Sequence, residues 1–113
     1  MIKGENKMAN LYFTNDIILM VWQKGKIVLG YDPKKYRQDE AGAWMIYSEY
    51  GNTNSDYGWE IDHIYPVSKG GTDVLDNLQP LQWENNRAKG DSYPTYYSAV
   101  TSHGNKNVHY SRT

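Results

Sequence analysis

Between Trp59 and Gly90 the sequence switches so often between extended and turn-forming composition that only short elements fit, and this constrains the fold more than any other feature. "WEIDHI" (59–64) alternates as a short strand, and "SKGGTD" (68–73) is a glycine-rich excursion. "NLQPL" (77–81) is a second extended piece, and "WENNRAK" (83–89) predicts a short helix stopped by Gly90. Upstream, "NDIILMVWQKG" (15–25) predicts a helix capped by Asn15 and stopped at Gly25, although its unbroken apolar centre would also suit a buried strand. "GYDPK" (30–34) and "GNTNSDYG" (51–58) are loops, and "AWMIYSEYG" (43–51) fits either a strand or a short helix. Downstream, "TYYSAVTS" and "NVHYSR" flank "HGNK", a hairpin signal. The expected class is α+β, with an N-terminal helical segment and a C-terminal β-hairpin. We expect a polar, disordered leader over residues 1–7, with Met8 as a second possible start, and one domain over 8–113 whose core motif spans 59–91.

A chain of 113 residues can bury a single core, and eleven Tyr and four Trp make that core aromatic, with indole and hydroxyl groups reaching its rim. The absence of cysteine excludes disulfides and thiolate zinc sites. No run approaches the roughly 18 apolar residues of a membrane span, and "MIKGENKM" lacks the apolar segment of a secretory signal, so a cytoplasmic location is the default expectation.

The net charge of -1 gives no support to a bulk electrostatic grip on nucleic acid. The charges are segregated, however. Lys24, Lys26, Lys34, Lys35 and Arg37 cluster around a single acid, Asp32, whereas Asp39, Glu40, Glu49, Asp56, Glu60 and Asp62 follow with no Lys or Arg among them. This pattern fits a phosphate-binding face opposed to a cation-binding one, and equally fits two solvated patches.

Chemistry concentrates where the first strand closes. Asp62 and His63 sit side by side, and Asn77 and Asn86 follow at intervals, the latter inside the short helix. Asn85 and Asn86 are poor helix-interior residues, so something other than propensity selects at least one of them. An aspartate oxygen with an asparagine amide oxygen suits Mg²⁺ or Mn²⁺ that keeps several waters and takes phosphate oxygens as further ligands. A neighbouring histidine is the natural group to take a proton from an attacking water near neutral pH.

"IDHIYPVSKGGTDVLDNLQPLQWENNRAKGD" (61–91) resembles the HNH endonuclease signature, in which strand, loop, strand and helix form a ββα-metal core. The flanks, from "VWQKGKIVLGYDPKKYRQDEAGAW" through "YGWEIDH", also resemble small stand-alone HNH proteins of bacteria and phages. The resemblance implies that His63 is the general base and that Asp62 and Asn86 hold one divalent cation, Mg²⁺ or Mn²⁺. It implies that Asn77 braces the loop between the strands and so orients His63, and that Lys89 lies near the scissile phosphate. DNA, met through its phosphate backbone, is the implied partner.

Asn86 stands where the family name expects His, which shifts the expected ion away from Zn²⁺ or Ni²⁺. Gln82 and Asn85 stand where one zinc-binding cysteine pair would fall, so structural zinc is not expected. Because adjacent strand residues face opposite ways, Asp62 and His63 can serve one site only if the strand loses regularity there, and Pro66 suits such an ending.

Blander readings compete at each position. His63 alone would be a structural histidine, Asp62 a turn acid, Asn86 a solvent-facing residue, and Lys89 a helix-end lysine meeting the dipole. Glu60, on the same face as Asp62, is expected to be a surface acid rather than a water-mediated aid to the metal, Trp59 and Trp83 core residues rather than base-stacking platforms, and Lys34, Lys35 and Arg37 either phosphate contacts or solvated. His103 and His109 are assigned no chemistry. A non-cleaving module that binds nucleic acid or protein, and a ribonuclease, are the rival functions.

Overall fold

The computed structural model describes residues 13–110; the leader expected over residues 1–7 lies outside them. Helix α1 (Asn15–Trp22) is capped one residue earlier than predicted. The side chain of Thr14, not Asn15, accepts the backbone N–H of Ile17, and Asp16 complements the positive helix end. The helix also stops before Gly25. Gly25 lies in the following turn and donates its N–H to Trp22, where any side chain would stand 3.1 Å from Cβ of Arg37.

The segment read as strand or helix is both in succession. Strands β1 (Tyr36–Gln38) and β2 (Trp44–Ile46) pair antiparallel, and a 3-10 turn over Tyr47–Glu49 follows. Strand β3 (Trp59–His63) pairs antiparallel with β4 (Leu78–Gln82), in a register that sets Trp59 opposite Gln82, Asp62 opposite Gln79 and His63 opposite Leu78. Helix α2 (Trp83–Lys89) follows β4 without a loop. Its first turn is capped by the Gln82 side-chain oxygen, which accepts the N–H groups of Glu84 and Asn85. Gly90 ends it by donating to Asn86. Strands β5 (Val100–His103) and β6 (Lys106–His109) form the expected hairpin, turning at Gly104 with φ +64°. The described chain is therefore α+β, with two α-helices and three small antiparallel pairs. No helix among the described residues is long and apolar enough to cross a membrane.

Alternation along β3 sends Trp59 and Ile61 into the main core, where they meet Val21 and Trp22 of α1, Met45 of β2 and Leu78 of β4. The Trp22 and Trp59 rings lie 5.2 Å apart, with Tyr47 and Tyr50 closing around them. All four indole N–H groups reach backbone carbonyls: Trp22 to Pro33, Trp44 to Gly104, Trp59 to Tyr47 and Trp83 to Ser55. The core is therefore aromatic without stranding its indole donors.

A second, polar centre joins α2 to the rest of the molecule. The Asp39 carboxylate accepts N–H groups from Ala41, Ala43 and Gln82 and the side-chain amide of Asn85. Asn85, fully buried, also donates to the Val100 carbonyl and accepts from Ala99 and Val100. Burial raises the Asp39 carboxyl while these four donors pull it back down. At the two positions where a zinc-bound cysteine pair would fall, Gln82 and Asn85 thus fasten the same helix start by hydrogen bonds.

Candidate functional site

The outer face of β3 carries Glu60 and Asp62, and helix α2 lies against it. Glu60 is fully buried, which corrects the expectation of a surface acid. Its Oε1 accepts from the Asn86 side-chain amide at 2.8 Å and from the Arg87 guanidinium at 2.5 Å, while its buried Oε2 meets no hydrogen-bond donor among the described residues. Asp62, 5 % exposed, accepts from the Gln79 amide at 3.0 Å through one oxygen and faces the Lys89 ammonium at 3.3 Å through the other. Burial pushes the Asp62 carboxyl up, and Gln79 and Lys89 draw it down.

Lys89 is 2 % exposed, buried rather than solvated at the helix end. Its ammonium donates to the backbone carbonyl of His63 at 3.0 Å and lies 5.6 Å from the centre of the Tyr96 ring. A buried ammonium needs such partners, and here they join the last turn of α2 to the last residue of β3.

His63 differs from what the sequence suggested. The expected loss of strand regularity at Asp62 and His63 is absent, because the ladder runs unbroken to the His63–Leu78 pair. Alternation accordingly turns the His63 ring to the opposite face from Asp62, toward Phe13, whose ring centroid is 6.2 Å away. The irregularity falls just after the strand instead. His63 Nε2 pairs with Asp73 Oδ1 at 2.7 Å, so the far end of the glycine-rich excursion holds the ring.

Asn77 ties that excursion to β3. Its Oδ1 accepts the Tyr65 N–H at 2.8 Å, and its Nδ2 donates to the carbonyls of Tyr65 and Thr72 at 3.1 and 2.9 Å. The glycines make this close return possible. Gly70 adopts φ +107°, and a Cβ on Gly71 would fall 1.7 Å from the Tyr65 carbonyl oxygen.

Asp62, Asn86 and Lys89 therefore gather between β3 and α2, while His63, Asn77 and Asp73 gather at the loop end of the β3–β4 hairpin. The Lys89 bond to the His63 carbonyl links the two groups. Sequence reasoning missed Gln79 and Asp73. Gln79 becomes visible only once the register sets it opposite Asp62, and Asp73 only once the excursion is folded back. Arg37 spends its guanidinium on the carbonyls of Gln23, Gly25 and Pro33, so the solvated-loop reading does not describe it. His109 pairs with Glu84 at 2.7 Å on the surface.

No curated protein and no solved structure is found to match the chain. Residues 51–92, from the loop before β3 to just beyond α2, match the family model described as HNH endonuclease. Over residues 51–92 the chain is thus similar to HNH endonucleases.

Proposed function

We propose that this domain is a metal-dependent endonuclease that hydrolyses DNA phosphodiester bonds, built on a ββα-metal core formed by β3, β4 and α2. HNH nucleases act on nucleic acid and generally use a divalent metal ion, which supports the class. The observation that carries the finer reading is the link made by Lys89, which joins the Asp62 carboxylate to the His63 carbonyl beside Asn86.

The donor chemistry here fits a small, hard cation. Asp62 offers a carboxylate oxygen and Asn86 an amide oxygen, few enough to leave Mg²⁺ or Mn²⁺ most of its water. Asn86 gives its amide nitrogen to Glu60, which leaves the carbonyl end as the one able to ligate. When bound, the ion supplies charge stabilisation on the phosphate and the departing oxygen.

The chain's own groups do the rest. His63 takes the proton of the attacking water through its imidazole, and Asp73 holds that ring by Nε2. Asn77 keeps the segment after His63 in place by gripping both backbone groups of Tyr65. Lys89 balances the charge of Asp62 before substrate arrives and exchanges that partner for a phosphate oxygen once the carboxylate is engaged.

The test is nicking of supercoiled plasmid across a panel of divalent cations by the parent and His63→Ala. Removal of the base is expected to slow cleavage about a hundredfold to ten-thousandfold. Equal rates would remove His63 from the chemistry. A second reading, a binding module that does not cut, is favoured by the prior pairing of Asp62 with Lys89. DNA binding that persists in chelator, with no nicking under any cation, would select it. Parallel digestion of labelled RNA and DNA decides the substrate.

A further inference from the structure

Tyr65 and Tyr93 form an aromatic pair at the seam between the β3–β4 excursion and the turn after α2. Their ring centroids are 5.0 Å apart and their planes cross at 76°. Edge-to-face packing of this kind leaves ring faces uncovered, and the two residues remain 41 % and 47 % exposed.

The pair is held to both halves of the candidate site. Tyr65 lies two residues past His63, and Asn77 fixes its N–H and its carbonyl together. Tyr93 lies just past α2, where the Ser92 N–H donates to the Lys89 carbonyl. Two exposed tyrosine rings are thus held in place on the chain segments that follow His63 and Lys89.

Charge decides what such a pair can bind. A chain of net charge -1 lacks the excess of cations with which proteins grip the two backbones of a duplex, and Asp73, Asp76 and Asp91 lie in the segments flanking the pair. A flat, neutral ring face instead favours a base that is free to leave its own stack, and every base has such a face. Lys69, four residues past Tyr65, is an exposed cation in the 3-10 turn Val67–Lys69.

We propose that Tyr65 and Tyr93 form a seat for one unpaired nucleobase beside the reacting phosphate, so that the domain selects single-stranded or locally unpaired nucleic acid. The seat takes its meaning from the nuclease reading, but its occupancy can be measured without cleavage.

Binding is measured in the His63→Ala background, with oligonucleotides carrying 2-aminopurine in a single strand, in a one-nucleotide bulge and in a fully paired duplex. The expected result is fluorescence quenching with the first two and tighter binding to them than to the duplex. Tyr65→Ala should weaken that binding roughly five- to hundredfold, the value of one base–aromatic stack, while Tyr65→Phe and Tyr93→Phe retain it. Equal affinity of the parent background for paired and unpaired probes would overturn the seat even if Tyr65→Ala failed to fold. A parent dimer that Tyr65→Ala dissociates in sedimentation would overturn it too, because the face would then belong to a second copy. Nicking by the parent with no preference for unpaired sites removes the seat alone; quenching by unpaired probes with no cleavage under any cation removes the nuclease reading alone.

Discussion

Replacing Asn85 by Ala separates two accounts of why an asparagine occupies the interior of α2. By helix propensity alone the change should stabilise the protein by roughly 0.5–0.7 kcal/mol. The structure predicts the opposite. Asn85 is fully buried and makes four hydrogen bonds, two through its amide nitrogen to Asp39 and Val100 and two through its oxygen from the N–H groups of Ala99 and Val100. Alanine strands those partners, and each buried group left unpaired costs about 1–3 kcal/mol. Asp39 keeps three other donors and Ala99 is only partly buried, so about two groups bear the full penalty. Set against the propensity gain, the net loss is about 3 kcal/mol, a large fraction of the stability of a small domain. In urea, with a slope of about 1–2 kcal/mol/M, the midpoint should fall by about 1.5–3 M. An unchanged or raised midpoint would refute the claim that Asn85 fastens α2 to the hairpin.

Other outcomes follow from the same geometry. Gly71→Ala puts a Cβ into the Tyr65 carbonyl, so the segment after His63 must shift and Asn77 must lose its grip; plasmid nicking should fall while the far-ultraviolet circular dichroism spectrum stays that of the parent. The Glu84 carboxylate raises the His109 pKa above its usual 6.5, which NMR titration should show and Glu84→Gln should abolish. Because the folded value is the higher one, the small stabilisation from this exposed pair is complete below the unfolded pKa and disappears as pH rises through the folded one.

The short elements from β3 to α2 were legible because turn residues punctuate them closely, and the terminal hairpin because Gly104 marks its turn. The helix-or-strand choices were harder. α1 has an apolar centre that local pattern leaves open, and residues 43–51 hold a strand and a 3-10 turn in succession. Thr14 was overlooked as a cap because Asn15, the next residue, carries an equally good capping side chain. What the sequence concealed is long-range. The burial of Glu60 depends on Asn86 and Arg87 folding over it, and the Asp73 contact with His63 depends on a loop returning. Asp39 and Asn85 meet across the whole domain, and no local pattern announces that meeting. The neighbouring asparagines also show the limit of propensity as a signal, since it marked both while only the three-dimensional contacts distinguish the one that fastens the helix from the one that faces Glu60.

The central claim is that Asp62 and Asn86 share a divalent ion which displaces the Lys89 ammonium from the carboxylate. Anomalous scattering from crystals grown with Mn²⁺ tests this most directly. The account predicts a peak bonded to Asp62 and Asn86, with Lys89 withdrawn from Asp62. Lys89 still paired with Asp62, and manganese absent from that place at saturating concentration, would contradict it.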